Sequence, residues 1–124
     1  MVIYADNAAT TQLDIDAFEA MKPFLLENYA NPSGAYSFSK GAKQAIKSAR
    51  NTIAECINAE PEQIYFTSGG TESDNWAIKG FAFADHDYRA VITSQIEHHA
   101  ILNSCYAIER LKHPVAYLPV DDKG

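Results

Sequence analysis

The segment IYFTSGGTESDNWAIKG, residues 64–80, decides the fold prediction. Residues 64–67 are apolar or β-branched, which predicts the end of a buried strand, and the chain then breaks into Ser68, Gly69 and Gly70. A helix is predicted to follow, because Thr71, Glu72 and Asp74 suit the first turn of a helix. Apolar residues then recur at helical spacing, at Trp76, Ala77, Gly80, Phe81 and Ala84.

This strand, glycine turn and helix together predict an anion cradle. The first N–H groups of a helix have no partner inside it, and glycines let the backbone approach a bound group closely. A phosphate would fit, with Ser68 and Thr71 as further hydroxyl donors. The other interpretation is a tight turn with Thr71 as a cap, and both stay open at this point. Neither GxxxxGK[ST] nor GxGxxG occurs, which disfavours a nucleotide.

Composition narrows the class of protein. The 124 residues carry a net charge of −6 with scattered basic residues, which argues against nucleic acid or an anionic membrane surface as a main partner. No apolar run reaches membrane-spanning length, and the N-terminus does not resemble a signal peptide, so we expect a cytoplasmic protein. Cys56 and Cys105 fall on apolar faces of predicted helices, where reduced structural thiols usually lie.

The first half of the chain predicts an arm, two helices and a long loop. Residues 6–11 are small or polar and predict an extended arm that contains Asn7. A helix is predicted from Asp14, with a kink or break at Pro23. Residues 27–41, which include Asn31, form the longest predicted loop, and long loops often carry function. The next helix has an apolar stripe with lysines and Arg50 opposite and should end near residue 58. The stripe consists of Ala42, Ala45, Ile46, Ala49, Ile53, Cys56 and Ile57.

The second half predicts two more strands. A polar turn at residues 85–87 leads to a buried strand at residues 90–93 and then to a helix. That helix should bury Ile101, Leu102, Cys105, Ile108 and Leu111, and a third strand follows at residues 115–120. Helical crossovers between strands imply a parallel sheet and an α/β fold. Because three strands make a thin sheet with unpaired edges, we expect the chain to be a fragment of a larger domain.

Glu97, His98 and His99 lie just after the second predicted strand. Neighbouring side chains diverge and no HExxH or CxxC spacing occurs, so no metal site is predicted. Loops at the carboxyl ends of neighbouring parallel strands lie side by side, which would place His98 or His99 near the cradle. There a histidine could stack on a planar ring or transfer a proton, or it could simply hydrogen-bond a helix start.

Five ordered blocks make the sequence resemble the N-terminal part of the cysteine desulfurases, which are pyridoxal-phosphate enzymes of the class V aminotransferase type. The blocks are YADNAATT at residues 4–11, NPSG at 31–34, the helix with Ala49 and Arg50, the segment at 64–80, and EHHAIL at 97–102. The resemblance implies a three-layer α/β/α fold with a mainly parallel sheet, the incomplete large domain of a fold-type-I enzyme. Residues 1–30 would form an N-terminal arm and helix, and residues 31–124 the first part of the cofactor-binding domain.

The resemblance also implies site residues. Gly69, Gly70 and Thr71 would hold the phosphate of pyridoxal phosphate, and His98 would stack on the pyridine ring and assist proton transfer. Asn7 and Asn31 would lie on the substrate side. Two positions depart from the family pattern, because many relatives carry histidine at the place of Tyr36 and serine at the place of Gly34.

The activity that the resemblance implies is that of a longer protein. The Schiff-base lysine, the aspartate that pairs with the pyridine nitrogen, and the persulfide cysteine of the family lie beyond Gly124, so we expect the 124-residue chain alone to be inactive. The complete enzyme would convert L-cysteine to L-alanine, pass sulfur to a sulfur-acceptor protein for iron–sulfur cluster or thio-cofactor synthesis, and act as a homodimer. The alternatives are a selenocysteine lyase or aminotransferase of the same family, or a noncatalytic scaffold domain.

Overall fold

The computed structural model describes residues 2–84 and 90–124 and groups them into two units. The first unit ends at Tyr65 and the second begins at Phe66. The polar turn predicted at Asp85, His86 and Asp87 lies outside the described residues. The predicted division of the chain after residue 30 stays a prediction.

The first unit begins with helix α1, Ile15–Leu26. Asp14 caps it as predicted, because its carboxylate accepts hydrogen bonds from the backbone N–H groups of Asp16 and Ala17 at 2.9 and 3.1 Å. Pro23 lies inside the helix and does not end it. The Pro23 carbonyl instead accepts the N–H groups of Glu27 and Asn28, which close the C-terminal turn.

Helix α2, Ser39–Cys56, matches the predicted helix. The residues after it, Asn58 and Ala59, close its C-terminal turn. Asn58 has a φ of 53°, and the next N–H, of Ala59, bonds back to the Ala54 carbonyl at 2.9 Å. This is the Schellman arrangement, in which asparagine tolerates the left-handed conformation better than most residues. A short 3-10 helix, Pro61–Gln63, then packs against α2.

The second unit carries the sheet. Helix α3, Gly70–Ala84, is followed by strand β1, Val91–Ser94, then helix α4, His99–Arg110, and strand β2, Val115–Leu118. The strands pair in parallel with Val91 opposite Val115 and Ser94 opposite Leu118. Helix α3 packs on α4, and α4 packs on β2. The prediction of an α/β fold with a parallel sheet is therefore confirmed.

A small core holds this unit together. It consists of residues with less than a tenth of their surface exposed: Ala82, Ala100, Ser104, Cys105 and Ile108. The Ser104 hydroxyl is satisfied by the carbonyl of Ala100 at 2.7 Å. Burial raises the pKa of the Cys105 thiol, with a further contribution from Glu109. Cys105 is thus the buried, unreactive thiol that its position on an apolar face predicts.

Several sequence predictions are wrong in detail. Residues 64–67 form no strand. The backbone at Ile64 is extended, but it pairs with no other strand among the described residues. The Ile64 carbonyl instead accepts a hydrogen bond from the Nε–H of Arg50, at 3.2 Å. Residues 7–9 make a turn rather than an extended arm, closed by the Ala9 N–H on the Asp6 carbonyl.

Burial also departs from the predicted helix faces. Leu111 and Cys56 are exposed, as are Trp76 and Phe81 of α3, where only Ala82 is buried. No strand lies in the first unit among its described residues, so α2 has no sheet there to pack against, and Ile57 keeps 64% of its surface exposed. Among the described residues, none of the helices combines the length and apolar character needed to cross a bilayer.

Candidate functional site

The glycine turn lies at the start of α3, where the sequence predicts the anion cradle. Gly70 is the first residue of the helix, and the Gly69 carbonyl accepts the backbone N–H of Ser73 at 3.2 Å. Neither glycine has a positive φ, and a Cβ added to either would meet no atom within 4 Å. The fold of the chain therefore does not require glycine at these two positions. Open space beside unpaired helix N–H groups suits a phosphate.

Hydroxyl groups fix the shape of this turn. The Oγ1 of Thr67 lies 2.7 Å from the Oγ of Ser73 and donates to the Gly69 carbonyl at 3.2 Å. The Thr71 hydroxyl, by contrast, makes no hydrogen bond with any residue that the structure describes, whereas its carbonyl accepts the Asn75 amide at 2.8 Å. Thr71 thus has a donor to offer a ligand, and its role toward a phosphate stays a prediction.

The hydrogen-bond donors of Ser68 are already engaged within the turn. Both its backbone N–H and its hydroxyl donate to the Glu72 carboxylate, at 2.7 Å each. These two bonds lower the pKa of Glu72 below its ordinary value, because they favour the charged form. The interpretation of Ser68 as a phosphate donor is therefore not supported, since its one hydroxyl hydrogen is already used. Glu72 was predicted in the first turn of the helix, but its bonds with Ser68 were not, because a serine four residues ahead of a glutamate is not the usual capping-box spacing.

His98 is the N-cap residue of α4, and its side chain is exposed. Its Nδ1 accepts the backbone N–H of Ala100 at 3.1 Å, so that nitrogen carries no hydrogen and the neutral ring bears its proton on Nε2. The histidine therefore does hydrogen-bond a helix start, and the same bond fixes its tautomer. His99 is instead the first residue of the helix, with its ring centroid 6.4 Å from that of His98.

Glu97 also belongs to the loop between β1 and α4. Its carboxylate accepts the Ser94 hydroxyl at 3.1 Å. Within the described part of the chain, no three His, Cys, Asp or Glu side chains are grouped closely enough to hold a metal ion. Glu97 thus helps to shape the loop that presents His98.

The two predicted substrate-side asparagines lie in the first unit. Asn7 is exposed in the turn at residues 7–9, beside which the Tyr4 hydroxyl donates to the Asp6 carbonyl at 2.9 Å. The Asn31 Oδ1 accepts the Ser33 N–H at 2.9 Å, which shapes the loop by an Asx turn. The roles of Asn7 and Asn31 toward a substrate stay predictions.

Gly34 and Tyr36 are structurally linked. A Cβ at Gly34 would lie 2.8 Å from the Cζ atom of the Tyr36 ring and would also collide with the Ser39 hydroxyl. In this chain the ring of Tyr36 thus lies where a side chain at position 34 would begin. Ser39 is buried, and its hydroxyl has no partner among the described residues.

Comparison with known proteins identifies the family. The aminotransferase class-V model matches residues 3–124, so the chain belongs to the aminotransferase class-V family. Among its relatives, the cysteine desulfurase IscS of Methanosarcina thermophila is 52% identical over 123 residues, which cover 98% of this chain and 30% of that protein. The cysteine desulfurase IscS of Dictyoglomus turgidum is 50% identical over 123 residues, covering 98% of this chain and 31% of that protein.

Solved structures agree with the sequence relatives. A NifS-like protein superimposes with a TM-score of 0.89 at 37% identity, over 98% of this chain and 33% of that one. The structure of SspA in complex with cysteine gives a TM-score of 0.85 at 43% identity, over 93% of this chain and 33% of that one. The chain thus spans about a third of the length of the proteins it matches, and over that span it has their fold.

Proposed function

We propose that this chain forms the phosphate-binding and ring-binding part of a pyridoxal-phosphate-dependent cysteine desulfurase. The observation that carries the proposal is the open, unhindered turn at Gly69 and Gly70 at the start of α3, in a chain about half identical to cysteine desulfurases. The substrate of the complete protein would be L-cysteine, and its products L-alanine and sulfur passed to an acceptor protein.

The residues at the start of α3 fit the phosphate of the cofactor. Backbone N–H groups of the first turn have no partner inside the helix and lie at its positive end. The Thr71 hydroxyl adds a donor, and the absence of side chains on Gly69 and Gly70 leaves room for the phosphate oxygens. Glu72 lies in the same turn, but its carboxylate accepts two hydrogen bonds from Ser68.

His98 fits the ring of the cofactor. Pyridoxal phosphate supplies, when bound, a conjugated ring that withdraws electrons from the substrate. The exposed imidazole of His98 offers a flat face for stacking, and the Ala100 N–H holds its orientation through Nδ1. Its Nε2 is then the atom that holds or moves a proton.

The experiment is an activity assay on the protein in its natural length. With L-cysteine, pyridoxal phosphate and a thiol reductant, which supplies the two electrons that convert the transferred sulfur to sulfide, we expect equal amounts of alanine and sulfide. The matched control replaces L-cysteine by L-serine, whose hydroxyl offers no sulfur to transfer. Release of alanine without sulfide, or turnover only with a keto-acid acceptor, would reject the desulfurase and indicate an aminotransferase.

Location, assembly and the sulfur acceptor belong to the same proposal. We propose a cytoplasmic homodimer that delivers sulfur to a protein thiol. The support is the family relationship to cysteine desulfurases and a buried Cys105 that has no disulfide partner among the described residues. A molar mass twice that of the natural-length chain in light scattering is the expected result, and a monomer at micromolar concentration would reject the dimer.

A further inference from the structure

A cavity of about 350 Å³ lies on α2 within the first unit, and none of the residues assigned to the candidate site lines it. Its walls come from α2, from the loop at Pro32 and from the 3-10 helix. The lining residues are Pro32, Lys43, Ile46, Lys47, Arg50, Asn51, Pro61 and Glu62. We call this feature the α2 cavity.

Three cations line the α2 cavity in a chain whose net charge is −6. Lys43, Lys47 and Arg50 are spaced by four and three residues, which places them in one row on the helix surface, about 10 Å long. Glu62 is the single acidic residue of the lining. The row is therefore a positive patch on an acidic chain.

The two lysine ammonium groups of the row have no partner among the described residues. Lys43 and Lys47 are exposed and make no hydrogen bond or ion pair with any residue that the structure describes. Arg50 is half-buried and is held in place by the bond from its Nε to the Ile64 carbonyl. One fixed guanidinium and two unengaged ammonium groups thus border the same space.

Part of the cavity lining is apolar. Ile46 lies between the two lysines in the sequence, and Pro32 and Pro61 contribute rigid apolar surface. Interfaces between proteins commonly combine such an apolar centre with a charged rim. A bare polyanion would use the cations and leave this apolar surface without a partner.

We propose that the α2 cavity is a docking site for an acidic peptide segment of a partner protein, with one apolar side chain seated over Ile46 and carboxylates along the lysine row. A row of charges two helical turns long matches carboxylates in series better than one compact anion. A net charge of −6 repels an acidic peptide and a nucleic acid alike at long range, so the apolar part of the lining is what favours the peptide. This inference does not depend on the proposed enzymatic activity.

The test is a fluorescence-anisotropy titration of the natural-length protein with a labelled peptide of four glutamates on each side of one leucine. Reversing both charges with Lys43→Glu and Lys47→Glu should weaken binding about tenfold or more at low salt, because like charges then face each other. The neutral pair Lys43→Gln and Lys47→Gln should give a smaller loss. Circular dichroism would verify that the variants fold.

Matched controls make the result specific. Lys22→Glu with Lys123→Glu changes the net charge equally at positions that do not line the cavity, and should weaken binding by a smaller factor because neither residue would face the peptide. Replacing the leucine of the peptide by glycine should weaken binding, and replacing the glutamates by glutamine should abolish it. Equal losses in both pairs of charge reversals would overturn the proposal. So would displacement of the peptide by inorganic phosphate, or stronger binding of a single-stranded oligonucleotide of equal charge.

Discussion

Glu72 lies over Ser68, with its Oε2 atom 2.7 Å from both the backbone nitrogen and the hydroxyl oxygen of that serine. The carboxylate thus occupies two donors at the edge of the turn that we assign to the cofactor phosphate. The remaining donors of the turn, from Gly69 onward, are left for a ligand. The Glu72 carboxylate therefore reduces the number of donors that a ligand could use but does not occupy all of them.

Glu72→Gln should remove a pH-dependent part of the stability. The folded pKa of Glu72 lies below its ordinary value of 4.5, so its contribution is complete above that pH and is lost as the pH falls through the folded value. We expect the urea midpoint of the wild type to fall more steeply below pH 4.5 than that of the variant. Asp74→Asn is the control in the same helix. Parallel pH profiles for wild type and Glu72→Gln would contradict the assignment.

Gly70→Ala should separate stability from ligand binding. The added Cβ meets no atom within 4 Å and the backbone is not left-handed, so the folded state tolerates it. We expect the free energy of unfolding to stay equal or to rise by about 0.5 kcal/mol, because alanine loses less backbone entropy on folding. Affinity for pyridoxal phosphate should fall in the same variant. A large loss of stability would show that Gly70 serves the fold instead.

Gly34→Ala should destabilise the first unit, because the added carbon collides with the Ser39 hydroxyl and lies 2.8 Å from the Tyr36 ring. Overpacking of this kind costs about 1–3 kcal/mol, and the exposed Tyr36 ring can move, which favours the lower end. Ser39→Ala removes a buried hydroxyl without a partner and should be neutral or stabilising. In a double-mutant cycle, Ser39→Ala should reduce the cost of Gly34→Ala. Strict additivity of the two changes would count against the contact.

Tyr117→Phe tests a buried hydroxyl that has no partner among the described residues. Burial raises the pKa of Tyr117 to about 12, with Glu109 adding to the shift. The neutral form is therefore favoured in the folded state, and stability should decline as the pH rises from 10 towards 12 in the wild type but less in the variant. At pH 7 we expect the free energy of unfolding to be unchanged or raised by about 1 kcal/mol. The exposed neighbour Tyr106, as Tyr106→Phe, is the control, and a marked loss in Tyr117→Phe alone would reveal a missing partner.

Local signals predicted the helices well. Asp14 before an apolar repeat fixed the start of α1, and the stripe of α2 with Asn58 after it fixed the end of that helix. The prediction of a strand at residues 64–67 is wrong because strand formation depends on a pairing partner that the local sequence does not specify. The predicted burial of Cys56 and Leu111 is wrong for a similar reason, because an apolar face is buried only where another element covers it.

The candidate site was predicted unevenly. The glycines and Thr71 follow from their position before a helix, and His98 follows from its place after β1. The engagement of Ser68 by Glu72 depends on side-chain geometry across one turn, and the collision at Gly34 depends on how the loop folds back on α2. Neither relationship has a spacing rule that single-sequence reasoning could apply.

The central claim is that the turn at Gly69, Gly70 and Thr71 holds the phosphate of the cofactor. The most direct measurement compares the affinities of pyridoxal phosphate and pyridoxal, which lacks the phosphate, for the natural-length wild type and for Thr71→Val. We expect the variant to lose about 0.5–1.5 kcal/mol of binding free energy for pyridoxal phosphate, because one neutral hydroxyl contact is removed. Its affinity for pyridoxal should be unchanged. Equal losses for both ligands, or no loss for either, would contradict the assignment of the phosphate to this turn.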